Sequence, residues 1–239
     1  MGVIFYIMKL IILAAGKGTR FLPITEETPK ALIPILGKPL VEYTMDLCVP
    51  YISGIVFVIN DILGFKIKEY FGNEYKGINI SYAIQDHLCP KGTMSAVQCA
   101  LPFIDSEKFI VCNCDDLYIK EDVDNAFKMN QFGIGLTESE MPYIYHGIDT
   151  SGEYIKGFRK HLANSGPVKD KFVNGFYFLS REIFSFIPVC LSNGEVGLPH
   201  TLFANLDKFT LKELKFKEWV AVDGPENIVR AENFIKKYY

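Results

Sequence analysis

Residues 11 to 43 read IILAAGKGTRFLPITEETPKALIPILGKPLVEY, and this stretch decides the fold. It continues an apolar run, Leu10 to Ala15, that lacks any polar alternation and so predicts a strand buried on both faces of a parallel sheet. A glycine-rich turn follows, Gly16-Lys17-Gly18-Thr19-Arg20, and then a loop punctuated by Pro23, Pro29 and Pro34. Glycines let backbone N–H groups approach an anion closely, and a nest of such groups is electropositive. Arg20 and Lys30 add full charges on a loop stiffened by proline. Strand, glycine turn and cations together predict a phosphate site.

Two common phosphate loops are excluded by the residues. A dinucleotide turn needs a third glycine where Phe21 stands, and a Walker loop needs a glycine five residues after the first, where Phe21 or Pro23 stands. The segments Leu13-Ala14-Ala15-Gly16-Lys17-Gly18-Thr19-Arg20-Phe21-Leu22-Pro23-Ile24-Thr25, Pro29-Lys30 and Pro34-Ile35-Leu36-Gly37-Lys38-Pro39 instead resemble the signature of the sugar-phosphate nucleotidyltransferases, or nucleotide-sugar pyrophosphorylases. The resemblance implies a Rossmann-like, mostly parallel sheet flanked by helices, of the nucleotide-diphospho-sugar transferase type. It also implies nucleotide contacts from Leu13, Ala14, Ala15, Gly16, Gly18 and Thr19, with Arg20 and Lys30 as the catalytic cations.

The bounds set by composition agree. The chain has 239 residues, 49% of them hydrophobic, with a net charge of −3, which suits one α/β domain with a sizeable core. No basic stripe is evident, so nucleic acid is not expected as a partner. Cys112 and Cys114 form C-x-C within an apolar strand, not a zinc spacing. All six cysteines read as small core residues of a cytoplasmic protein. The apolar residues 1 to 15 are interrupted by Lys9 and too short to span a bilayer, so no membrane association is expected. Residues 1 to 7 read as a short extension before the family's usual beginning. A homo-oligomer is compatible with all of this.

Down the chain, helices are expected at Pro39–Cys48, Asp61–Phe71, Thr93–Leu101 and Val123–Asn130, alternating with strands at Gly54–Asn60, Ile78–Gln85 and Phe109–Asp115. This is the rhythm of βαβ units. From about Gly133 to 215 it gives way to strands (Gly133–Glu138, Tyr143–Ile148, Tyr154–Phe158, Lys171–Leu179), which predicts a smaller β-rich, acceptor-side region. Arg181–Ile187 and Pro199–Leu206 look helical, Lys212–Val222 is a closing strand or strand pair, and Pro225–Tyr238 is an amphipathic terminal helix.

Within the resemblance, Gln85 and the turn Gly92-Thr93 fall where the family reads the nucleobase edge, and Asp115, in Cys114-Asp115-Asp116-Leu117, falls where an aspartate binds Mg²⁺. Adjacent strand residues point oppositely, and the register favours Asp115 over Asp116. The family's second carboxylate, in W-x-D, corresponds to Ala221. Asp223 lies two residues later and is assigned to the metal, with a helix N-cap as its competing role. Mg²⁺ is the cofactor the resemblance implies; a nucleoside triphosphate and a phosphorylated small molecule are the implied partners.

The acceptor half departs from the pattern. The family's F-x-E-K-P stands here as Phe158-Arg159-Lys160-His161, without the sugar-binding glutamate. A glycine expected near it falls at Ile144, and in Val173-Asn174-Gly175-Phe176-Tyr177 only Gly175 keeps register. Arg159 and Lys160 are therefore expected to meet an acidic group on the acceptor, with a cationic acceptor such as phosphocholine disfavoured. The reaction so implied is transfer of a nucleoside monophosphate to a sugar 1-phosphate or related acceptor, releasing pyrophosphate. The alternatives are an inactive regulatory or nucleotide-binding subunit of the same fold, and a cytidylyltransferase acting on a non-sugar phosphorylated alcohol.

Overall fold

Leu10, Ile12 and Ala14 pack with one apolar cluster and Ile11 and Leu13 with another, so the first strand is buried on both sides as its unbroken hydrophobicity requires. The structure is a computed structural model describing residues 8–142, 145–162 and 166–239. The expected extension at 1–7, the position of Ile144 and the first two residues of the expected strand Tyr143–Ile148 lie outside the described residues.

In chain order, β1 (Lys9–Ala14) leads through the signature loop and a small hairpin, β2 (Pro34–Ile35) and β3 (Lys38–Pro39), into α1 (Leu40–Cys48). Next come β4 (Gly54–Asn60), α2 (Gly64–Phe71), β5 (Glu74–Tyr75), β6 (Ile78–Gln85), α3 (Thr93–Ala100), β7 (Lys108–Asn113), β8 (Asp116–Tyr118) and α4 (Lys120–Met129). The second half holds β9 (Gly133–Pro142), β10 (Gly147–Ser151), β11 (Tyr154–Arg159), β12 (Pro167–Ser180), α5 (Leu198–Phe203), β13 (Lys212–Phe216), β14 (Trp219–Ala221) and α6 (Ile228–Tyr238).

Ten strands form one sheet in the order β10-β11-β13-β9-β12-β7-β1-β4-β6-β5. The strands β7, β1, β4 and β6 run parallel, as do β9 and β13. The chain leaves β1 toward β4 and β6 on one side and returns to β7 on the other. The switch point therefore lies between β1 and β7, where open α/β sheets bind ligands beyond the carboxyl ends of their strands. On one face α1, α2 and α4 contribute Val41, Met45, Ile67, Phe71, Val123 and Phe127; on the other α3 and α5 contribute Met94, Val97, Leu198 and Leu202. No helix among the described residues is long and apolar enough to cross a membrane.

Three expectations are revised. The β-rich stretch from Gly133 is a continuation of the central sheet, with β12 hydrogen-bonded to both β7 and β9. The second helix begins at Gly64 because Asn60 Oδ1 accepts the N–H groups of Ile62, Leu63 and Gly64, which holds the chain in a turn first. Of the two readings of Lys212–Val222, the strand pair is the one observed: β13 joins the large sheet, whereas β14 pairs antiparallel with β8. Arg181–Ser185 forms a 3₁₀ turn rather than an α-helix.

A third apolar cluster lies beneath the signature loop and joins it to the end of the chain. It contains Phe21, Ile33, Ile35, Leu40, Leu117, Val220, Val222 and, from α6, Ala231, Phe234 and Ile235. Phe21, which occupies the position a dinucleotide fold gives to glycine, is fully buried there. Phe21→Ala is expected to lower the unfolding free energy by about 3–5 kcal/mol, the usual cost of removing a buried phenyl ring; a urea titration that left the midpoint unchanged would show that the loop is not anchored by this ring.

Candidate active site

The signature loop is shaped by its own residues before any ligand is considered. Gly18 adopts a left-handed conformation (φ 62°), and its carbonyl oxygen accepts hydrogen bonds from the Phe21 N–H and the Thr25 hydroxyl, both at 2.8 Å. A Cβ at Gly16 would meet nothing, so the backbone there stays open to an anion. Asn60 Nδ2, at the end of β4, holds the Ala15 carbonyl at 3.2 Å. Lys30 begins a 3₁₀ turn, Lys30–Leu32, whose next residue Ala31 is buried and fixes the direction of the lysine side chain.

The chain brings Lys30 and Asp115 together across the switch point in a short charge-assisted hydrogen bond. Asp223 Oδ1 stands 3.6 Å from the same ammonium, and Asp223 Oδ2 stands 3.2 Å from Arg20 Nη1. The side chains of Lys30 and Asp115 retain 12% and 17% exposure, against 41% for Asp223 and 62% for Arg20, so the quartet runs from the interior to the rim. Burial by itself would lower the Lys30 pKa, but the Asp115 carboxylate outweighs it and the net shift is upward, so the ammonium stays charged.

Adjacent carboxylates have separate fates. Asp116 is buried, accepting hydrogen bonds from Trp219 Nε1 at 2.6 Å and Asn113 Nδ2 at 2.8 Å, and burial together with the charge of Asp115 raises its pKa well above the carboxylate range. The pairing of β8 with β14, and the hydrogen bond from the Val222 N–H to the Asp115 carbonyl at 2.9 Å, bring Asp223 to Asp115. Asp223 is not the helix cap: that place is taken by Gly224, whose N–H donates to Asn227 Oδ1 at 3.2 Å. Among the described residues no group of three or more His, Cys, Asp or Glu side chains is arranged to hold a metal. The two carboxylates nevertheless both face the Lys30 ammonium. Two carboxylates, completed by phosphate oxygens and water, are a donor set that fits Mg²⁺.

At the end of β6, Gln85 donates its amide to the carbonyls of Pro90 at 2.9 Å and Gly92 at 3.4 Å. Gly92 has φ 110° and lies so close to the Val196 backbone that any side chain would overlap it. The Thr93 hydroxyl accepts the Leu198 N–H at 2.8 Å. The turn expected to read a base is thus built, and it rests on the segment leading into α5.

Next to the carboxylates opens a cavity of about 460 Å³. Asn113, Asp115, Asp116, Trp219, Ala221 and Asp223 line its catalytic end; Met141, Tyr145, His146, Phe158, Phe172, Val173 and His200 line the rest, with Asn174, Gly175 and Pro199. The imidazoles of His146 and His200 lie 5.5 Å and 4.6 Å from the Phe158 ring. Sequence reasoning missed both histidines, because only the pairing of β10 with β11 brings His146 to Phe158 and only the packing of α5 on β11 brings His200 there. Arg159 and Lys160, expected there, do not line the cavity. Arg159 is committed to Asp149 at 2.6 Å and Asp170 at 3.0 Å, and Lys160 is exposed. The two cations expected to meet the acceptor thus lie outside this cavity.

The model of the nucleotidyl transferase family matches residues 9–132, and the chain belongs to this family. It is 30% identical over 244 residues to the bifunctional protein GlmU of Methanococcus maripaludis strain C7, covering 96% of this chain and 55% of that protein. It is 31% identical over 186 residues to the D-glycero-alpha-D-manno-heptose 1-phosphate guanylyltransferase of Campylobacter jejuni, covering 74% of this chain and 78% of that one. The chain spans about half the length of the GlmU proteins it matches. A UDP-glucose pyrophosphorylase solved with UDP-glucose superposes with a TM-score of 0.80 at 24% identity, over 98% of this chain and 100% of that one, which shows the same fold.

Gly175 is placed by this geometry. It has φ 82°, it lines the cavity, and an added Cβ would overlap Asp116 Oδ2 and Asn113 Nδ2. Gly175→Ala is expected to destabilise the protein by more than about 1 kcal/mol, since the conformation opposes a side chain and the space is filled; a thermal melt that matched the unsubstituted protein would contradict this reading of the bulge in β12.

Proposed function

We propose that this chain transfers a nucleoside monophosphate from a nucleoside triphosphate to a phosphorylated acceptor of the sugar 1-phosphate type, releasing pyrophosphate. The observation that carries the reading is the quartet Arg20, Lys30, Asp115 and Asp223 at the sheet's switch point, with an open glycine loop on one side and a separate cavity on the other. Family membership, and the names of the relatives that act on sugar 1-phosphates, support it.

In this mechanism an oxygen of the acceptor phosphate attacks the α-phosphorus, and the bond from that phosphorus to the oxygen bridging the α- and β-phosphates breaks. The leaving pyrophosphate carries the electron pair away. No general base is required, because the attacking phosphate is already anionic. Arg20, at the exposed end of the quartet, holds the departing phosphates; Lys30, at the buried end, sets its charge where the two phosphates crowd. Mg²⁺ held by Asp115 and Asp223 would supply further neutralisation of phosphate charge. Gln85 and the Gly92-Thr93 turn border the base.

The acceptor's body belongs in the cavity. Among the described residues no lysine or arginine lines it, and burial together with His146 lowers the pKa of His200, which keeps that imidazole neutral near pH 7. Phe158 flanked by the two imidazoles offers an apolar face with hydrogen-bonding edges, a surface for an uncharged hydroxylated ring. Ala221, where relatives carry the metal aspartate, favours the second reading, an inactive subunit; Asp223 beside Lys30 weighs against it. Six cysteines free of disulfides suit a reducing, cytoplasmic setting.

Pyrophosphate release measured with each triphosphate and a panel of phosphorylated acceptors tests the reading. Lys30→Ala is expected to lower turnover by at least about a hundredfold, as for loss of a charge aimed at the transition state; near-normal turnover would remove Lys30 from the mechanism. His200→Ala is expected to raise the acceptor KM about five- to tenfold, the worth of one hydrogen bond, with the triphosphate KM unchanged. Equal effects on both substrates would place His200 outside the acceptor site.

A further inference from the structure

Resting on the proposed reading, we infer that Lys30 is the resident cation of the metal site, so that a divalent ion enters only with the triphosphate. The argument begins with charge. Arg20 and Lys30 carry two positive charges, Asp115 and Asp223 two negative ones, and the four groups are linked in sequence by contacts from Arg20 to Asp223 to Lys30 to Asp115. The quartet is formally neutral. A dication added beside both carboxylates would leave a surplus of two positive charges, with the Lys30 ammonium in direct contact with one of its ligands. The inner half of the quartet is largely shielded from water, so that repulsion is weakly screened.

A triphosphate reverses the balance. Its oxygens offer Lys30 and Arg20 new partners, and once the ammonium turns to them both carboxylates are released to the incoming ion. The backbone need not move: Lys30 sits between Pro29 and the buried Ala31, and only its flexible stem has to swing. The lysine thus fills the cation position before the reaction and serves the phosphates during it. The consequence is an order of binding, in which the ion arrives as a complex with the nucleotide.

The test uses the full chain stripped of metal and Mn²⁺ as the probe, followed by electron paramagnetic resonance. Mn²⁺ suits an oxygen-donor site of this kind. Unsubstituted protein should bind Mn²⁺ alone weakly. Lys30→Met and Lys30→Gln should each bind it at least about tenfold more tightly, because one opposing charge has been taken from contact distance. Lys30→Arg, which keeps the charge, should stay weak, and Asp115→Asn added to Lys30→Met should abolish the gain. With a non-hydrolysable triphosphate present, the unsubstituted protein should bind Mn²⁺ in an environment distinct from that of the free Mn²⁺–nucleotide complex. If the unsubstituted protein binds Mn²⁺ alone as tightly as Lys30→Met does, the placeholder role is wrong although the carboxylates still form a metal site. If no form binds Mn²⁺, with or without the nucleotide analogue, the assignment of the carboxylates to a metal fails as well.

Discussion

The ammonium of Lys30 faces two carboxylates that reach it from distant parts of the chain, Asp115 being 85 residues away in sequence. Holding such charges together at the edge of the interior costs desolvation, and the geometry must be good for their attraction to offset it. The protein secures that geometry with apolar neighbours. Each of the four charged residues is followed or preceded by a buried one: Phe21 after Arg20, Ala31 after Lys30, Cys114 before Asp115 and Val222 before Asp223. Adjacent residues in extended or tightly turned chain point apart, so burying one side chain aims its neighbour outward. Two of these anchors, Phe21 and Val222, meet in the cluster formed with α6, whereas Ala31 and Cys114 pack in the core on one face of the central sheet. The charged site is in this sense the outer face of a small hydrophobic core.

This arrangement explains which parts were legible in the sequence. The strands Gly54–Asn60 and Ile78–Gln85 begin and end where their apolar pattern predicts, because a buried parallel strand leaves its whole length in the composition. The signature loop was legible for a related reason: Gly18 answers a left-handed backbone and Phe21 a core position, both local demands. Asp115 and Asp116 do point apart, but a turn at Cys114 and Asp115 separates them, since the strand ends two residues earlier than expected.

What escaped the sequence depends on pairings between distant residues. Arg159 looked like a free cation because its partners, Asp149 on β10 and Asp170 on β12, are brought to it only by strand pairing and folding. The strands from Gly133 onward looked like a separate region because their alternation is imperfect, and nothing local says that β12 will cross over to pair with β7. The cavity's aromatic wall was invisible for the same reason. Phe158 lies on β11, His146 just before β10 and His200 on α5, and their common cavity is a property of the packed molecule.

The same packing links the two halves of the site. The Met94 N–H donates to the Val196 carbonyl at 2.9 Å, the Val196 N–H to the Lys91 carbonyl at 2.7 Å, and the Leu198 N–H to the Thr93 hydroxyl at 2.8 Å. The turn beside Gln85 is therefore stitched, backbone to backbone, to the segment that opens α5, and α5 carries His200 into the wall of the cavity. Gly92 lets the two backbones approach to a separation no side chain would allow. One segment, Val196 to Leu198, therefore separates this turn from the helix that bears His200. The Gln85 turn and the cavity beside the carboxylates are consequently not independent of each other. They share a wall, and the position of that wall is fixed by a glycine on one side and a helix start on the other.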